Sequence, residues 1–463
     1  MLSKNPVVLL SITIIFLVLV LPATALPSSH GEFTSDEFTE YSKCGQCHAI
    51  IRSEWDGSMH ANAFTDPFYQ EELKLASEDS DGALDLFCTR CHIPVGVLSA
   101  EVPPIDGSQA SDVALEAVSC DFCHTVSDND GTGNGAFISS PGTTKYGPFD
   151  DSESAFHGSE YLELYQQAEY CGMCHQVYHP ANGLVLDDTY MAWEEGPYSE
   201  RDVTCQDCHM TPGITDFEAN PGRAGSGAPK RDHISTHYFS GANVFVTGIL
   251  DEEDTIELNT ERLQKAATVE VAIPETAEAG ETVNMEVSIT NSGAGHNIPT
   301  GLIEARQIWL EVLVSDASGT VLLDSGSLDS EGNIQNAVVY QTKFADSDGE
   351  PTFKLWEAAS VISDNRISPE DTAIEEFSFE VPENVADPIS VDVKLLYRSA
   401  PQSMIDDIFG DNVHEVPVVE MNSYRGAING DVPSESTPGF GVAGMILSLM
   451  GAILYLRYGK KEE

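Results

Sequence analysis

Basic residues are scarce in this 463-residue chain: 22 Lys and Arg stand against 75 Asp and Glu, a formal net charge of −53. So acidic a surface repels polyanions and excludes nucleic acid as a partner. It fits a protein kept hydrated in concentrated salt, where screening removes the self-repulsion, and so a salt-adapted source. Unassigned cysteine is also missing. All 10 cysteines fall in pairs two residues apart, each followed at once by histidine. No thiol is left for a disulfide framework. Periodic apolar runs are few between His30 and about Ser240, so this half cannot build an ordinary core from side chains alone.

The cysteine motifs fill that gap. Motif 1 is Cys44, Cys47, His48; motif 2 is Cys88, Cys91, His92; motif 3 is Cys120, Cys123, His124; motif 4 is Cys171, Cys174, His175; motif 5 is Cys205, Cys208, His209. C-x-x-C-H is the haem c attachment signature: two thiols at this spacing bond the two vinyl groups of one porphyrin edge, and the next histidine swings under the iron. A single copy also suits zinc or a redox dithiol, but zinc sites would need the pairs to combine in fours. The expectation is five haem c groups, at about forty residues each between Cys44 and His237, supplying the apolar interior and lying close to one another. Similar residues follow motifs 1 and 4 (Trp55-Asp56-Gly57-Ser58; Trp193-Glu194-Glu195-Gly196), and motifs 2 and 5 share an apolar residue, Pro and Gly downstream. This echo suggests two haem pairs flanking a middle one.

Both ends carry apolar runs. Val7 to Leu21, preceded by Lys4 and followed by Ala23-Thr24-Ala25, reads as a signal peptide over 1–25 with an A-x-A cleavage site; an uncleaved anchor is the alternative. Gly439 to Leu456, followed by Arg457, Lys460 and Lys461, reads as a membrane tether with the body outside. The Pro438-Gly439-Phe440 context resembles the PGF-type C-terminal sorting signal of archaea, which implies cleavage and lipid attachment.

The fold class expected is a mostly irregular/α multihaem cytochrome domain over 26–249, followed by an all-β, Ig-like sandwich. A linker helix over 250–267 joins them. Period-two alternation then begins: Val283, Met285, Val287, Ile289; Ile308, Leu310, Val312, Val314; Val391, Val393, Leu395. Six or seven such strands make a sandwich over 268–400. The irregular acidic stretch 401–437 reads as a stalk, and 438–463 as the C-terminal anchor or sorting signal.

Eight histidines lie outside the motifs: His30, His60, His157, His179, His233, His237, His296 and His414. They are enough to close five irons with histidine, the choice that favours electron transfer over catalysis at an open site. Ala117 to Val126 around motif 3, Thr204 to Met210 around motif 5, and Gly295-His296-Asn297-Ile298-Pro299-Thr300-Gly301 resemble multihaem cytochromes related to the tetrahaem electron carrier of ammonia oxidisers. The resemblance spans about His30 to Gly301. It implies that His60, His157 and His237 are distal ligands, and that His296 reaches a haem from the β-domain. For the fifth, His179, His233 and His30 compete, His179 being preferred because it follows motif 4 closely. Met59, Met191 and Met210 are alternatives, and His414 is left unassigned.

The function expected is electron transfer outside the membrane, from a redox protein or membrane electron pool to an external acceptor or another cytochrome. An oxidoreductase acting on a small nitrogen or sulfur compound at one open haem is the alternative. No motif ends in lysine, as one usually does in ammonia-forming nitrite reductases. A third possibility is a filament subunit joined through haem contacts.

Overall fold

The computed structural model describes residues 30–213 and 215–431, so the N-terminal apolar run and the Gly439–Leu456 segment lie outside the described residues. Among the described residues no helix is long and apolar enough to cross a membrane.

The motif-bearing half is built from short helices, turns and small strand pairs. Helix α1 (Ala49–Asp56) follows motif 1. Helix α2 (Pro67–Asp79) begins where Pro67 suits a first helical turn, and the Asp66 carboxylate caps it by accepting from the Phe68 and Tyr69 N–H groups. Helix α3 (Asp85–His92) carries motif 2 on its last turns. Side chains form only small clusters here, such as Phe38, Val95, Leu98 and Phe122 or Tyr69, Leu73 and Ile93. Between them runs one continuous cavity of about 2170 Å³ lined by residues of all five motifs.

Helix α4 (Glu253–Ala266) lies within the expected linker. Its inward face carries Thr255, Asn259, Leu263 and Ala266, all buried, at the i, i+4, i+8 and i+11 spacing of one helix stripe. Eight strands make the main β-domain: β1 (Thr268–Ala272), β2 (Thr282–Thr290), β3 (Gln307–Ser315), β4 (Val321–Ser325), β5 (Val339–Tyr340), β6 (Thr372–Glu380), β7 (Ile389–Arg398) and β8 (Val419–Ile428). One antiparallel sheet has the order β4-β3-β7-β8, with β5 also on β3; the other is β6-β2-β1. In register, Val393 lies between Val312 and Tyr424, and Met285 opposite Phe377. Val283, Met285, Val287 and Ile289 of one sheet share a core with Val312, Val314, Val391 and Val393 of the other, as period-two alternation requires.

The stalk expectation is corrected. Residues 402–409 form helix α5, whose Met404 and Ile405 are buried against Phe68 and Phe245. Strand β8 pairs with β7 from Ile389–Ile428 to Tyr397–Val419 and completes the sheet. A register shift opposite Leu395 and Leu396 of its partner interrupts its period, and Gly426 takes a buried position, which hides the alternation from a reading of sequence alone.

The two halves are joined by polar contacts. Arg366 of the β-domain makes a two-pronged ion pair with Asp188, 2.7 Å on each arm, with the guanidinium almost fully buried. Thr189 meets Thr300 at 2.6 Å, and Asp79 at the end of α2 receives both Lys354 and the Trp356 indole.

Candidate functional site: a histidine-lined cavity

Iron needs a bare ring nitrogen, so the tautomer of each histidine is diagnostic: a ligand gives its other N–H to a carbonyl. Four motif histidines do so through Nδ1: His48 to Ala224 O at 2.6 Å, His92 to Ala63 O at 2.9 Å, His124 to Tyr146 O at 2.7 Å and His209 to Ser240 O at 2.8 Å. Three of the non-motif histidines follow the same rule. His157 donates to Gly158 O, His237 to Ser235 O and His296 to Asn297 O, at 2.9 to 3.0 Å. In each case Nε2 is left to point elsewhere. Burial, with neighbouring histidines, pushes His60 and His237 down to about 3, and burial brings His92 to about 4, so these imidazoles stay neutral with their lone pairs available.

Ring spacing gives a second test. Two imidazoles bound to one metal through bonds of about 2 Å have their ring centroids roughly 6.3 Å apart. His48 and His157 are 6.4 Å apart, His175 and His60 are 6.1 Å, and His209 and His296 are 6.4 Å. His237 is buried beside His124, the histidine that acts on it most strongly. The residues present thus fit haem c, with thiols where the thioether sulfurs would be and imidazole pairs spaced for an iron between them.

His179, expected as the fifth distal ligand, does other work. Its Nδ1 accepts from the Ala181 and Asn182 N–H groups, and its Nε2 donates to Trp356 O at 3.1 Å. Both nitrogens are spent on the contact between the halves. The competing His233 accepts an N–H from Asn220 at Nδ1, the opposite tautomer to the ligand set, and His30 is exposed. His414 packs on Phe409 and Phe245. Motif 2 is therefore left without a facing histidine among the described residues; instead Tyr69 stacks on His92 at 3.7 Å, nearly parallel, with its buried hydroxyl unpartnered.

The thiols of different motifs meet: Cys44 with Cys120, Cys91 with Cys174, and Cys171 with Cys205. Cys123 lies near Cys171 and Cys174. Motifs 1 and 3 adjoin, as do 2 and 4, and motif 4 touches 2, 3 and 5. The expected two pairs flanking a middle haem give way to this branched order, in which motif 1 meets motif 3 and motif 2 meets motif 4.

Comparison with known proteins agrees with the site. Residues 43–125 match the family described as cytochrome c554 and c-prime. The fold is similar to that of a penta-heme cytochrome c552 from Thermochromatium tepidum, with 19% identity, 84% of this chain and 99% of that chain covered, and a TM-score of 0.60. That coverage extends beyond the motif-bearing half into the β-domain. The CARDB domain of PF1109 from Pyrococcus furiosus (10% identity, 35% of this chain, 86% of that chain, TM-score 0.16) and MtrC from Shewanella baltica (15%, 58%, 43%, 0.17) also match, at scores that carry no argument. Among curated proteins none matches at the sequence level. The chain thus shares its fold with a penta-heme cytochrome, and its segment 43–125 is similar to a cytochrome c family.

Proposed function

We propose that this chain binds five haem c groups, one per C-x-x-C-H motif, and relays electrons through them. The observation that carries the reading is the set of paired imidazoles spaced 6.1 to 6.4 Å, two of the pairs, His48–His157 and His209–His296, being fixed in one tautomer by backbone carbonyls. Haem c supplies a one-electron change at iron. The chain orients the rings that would hold the iron, keeps His60 and His237 neutral by burial, and brings the attachment points of different motifs into contact. Electron tunnelling falls off exponentially with the gap between porphyrin edges, so such contacts favour rapid relay.

In this reading His48 and His157 close one iron, His124 and His237 a second, His175 and His60 a third, and His209 and His296 a fourth. The donor is a redox protein or membrane electron pool of the cell envelope, and the acceptor an external one or another cytochrome. The body lies outside the cell membrane, tethered through the C-terminus by an archaeal PGF-type signal or a plain span; the signal peptide directs export. The β-domain, read as Ig-like, brings His296 to the last haem.

A second reading is favoured by one observation: motif 2 faces no histidine among the described residues. Its iron would then be open to a small nitrogen or sulfur compound, as in an oxidoreductase. Haem count against protein mass, with carbon monoxide added to the reduced holoprotein, tests both. The relay predicts five haems and a low-spin majority. Carbon monoxide binding at one haem supports the second reading, and no binding removes it; a count below five overturns the first.

A further inference from the structure

A buried arginine stands beside motif 5, as Arg90 does within motif 2. Arg262, on α4, directs Nη2 to Cys208 O at 3.0 Å and to Ser240 Oγ at 3.1 Å, with Nε 3.3 Å from the same hydroxyl. Ser240 is also the residue whose carbonyl holds His209 Nδ1. One guanidinium therefore grips both the attachment segment and the residue that aims the proximal histidine. Three positions earlier on the same helix, Asn259 fixes the adjoining loop through Gly241 N and Asn243 O. Burial lowers Arg262 to about 10, which leaves it charged at neutral pH. Its charge reaches both rings of the pair, His209 and His296. The other charged groups facing them are Asp187 and Asp188, and Asp188 is already held by Arg366.

We propose that Arg262 is a positioning residue that raises the reduction potential of the haem attached at Cys205 and Cys208. Ferric haem carries one more positive charge than ferrous haem, so a fixed cation buried nearby disfavours the ferric form. In a chain of net charge −53, a buried cation holds this haem's potential above the value it would have with the cation removed. The inference rests on haem attachment at motif 5 with His209 and His296 as axial ligands.

The test is a spectroelectrochemical titration of the holoprotein. R262Q should shift the reduced-to-oxidised ratio of one haem toward oxidised by on the order of tenfold at fixed potential, ~59 mV for one electron. R262K, which keeps the charge, should stay near wild type. To identify the haem, the same change is made in H296A, where the motif 5 haem gains a high-spin signal absent from wild type and that new wave is followed. An unmoved wave in R262Q with five haems retained overturns the proposal. Should R262Q fail to take up haem, R262M against R262K decides it: equal potentials overturn it, and a lower potential in R262M supports it. A haem count below five, or an H296A protein with no new high-spin signal, would instead strike the ligation reading on which it rests.

Discussion

A histidine near a haem motif in sequence is a ligand only if the right nitrogen is free, and that is settled by a hydrogen bond a few residues or a few hundred residues away. His157, His237 and His296 give Nδ1–H to local carbonyls, whereas His179 spends both nitrogens between the halves. H296A should convert one haem of the holoprotein from low to high spin, visible in the electronic spectrum and by electron paramagnetic resonance. H179A should leave every spin state unchanged and only weaken the contact with Trp356. A new high-spin haem in H179A would reverse the assignment. The attachment motifs were legible in sequence because their chemistry is contained in five consecutive residues. The four histidines proposed as distal ligands were legible only through resemblance, and the preference for His179 rested on sequence proximity to motif 4, which says nothing about tautomer.

At the scale of elements, the strands with clean alternation, such as β2 and β3, could be read directly, since each has one face in the shared core. Helix α5 and strand β8 could not: what makes them structure is tertiary, the pocket by Phe68 for one and the open edge of β7 for the other. The same is true of the Asp188–Arg366 clasp, whose partners are 178 residues apart. Arg366 also holds Asp364, so it is removal of the arginine that leaves the buried Asp188 carboxylate without its counter-ion. R366M should therefore destabilise the holoprotein by roughly 3 kcal/mol, read as a lower denaturation midpoint by circular dichroism. A midpoint equal to wild type would mean the clasp is neutral, as some replaced buried pairs are.

For the whole molecule, charge and burial act together. Desolvation raises the carboxyls of Asp66 to about 6, Glu72 to about 7, and Glu116 and Glu304 to about 8. A carboxyl whose folded value lies above its unfolded one gives stability that is complete below about pH 4 and is lost as pH rises through the folded value. Self-repulsion of the acidic surface works in the same direction. The thermal midpoint should thus fall between about pH 5 and pH 8, and at pH 8 should rise with added salt as repulsion is screened. Midpoints that rise with pH across that window, or ignore salt, would contradict this account. The branched contact of motif 4 with motifs 2, 3 and 5 is also a property of the whole, since no local run of sequence brings Cys91 to Cys174 or Cys171 to Cys205.

The loop bearing His296 sets an order of events as the chain emerges and matures. In the proposed ligation, His60, His157 and His237 are all translated by the time α4 appears, so three irons can be closed from the motif-bearing half alone. Motif 5 waits for residues beyond β2, and its loop is held by Asn291, whose side chain donates to both His296 O and Ile367 O. Completion of the last haem site thus reports that the β-domain has folded, which makes the array its own checkpoint: a chain with a misfolded C-terminal half would carry haem yet keep one iron exposed, chemically marked as unfinished.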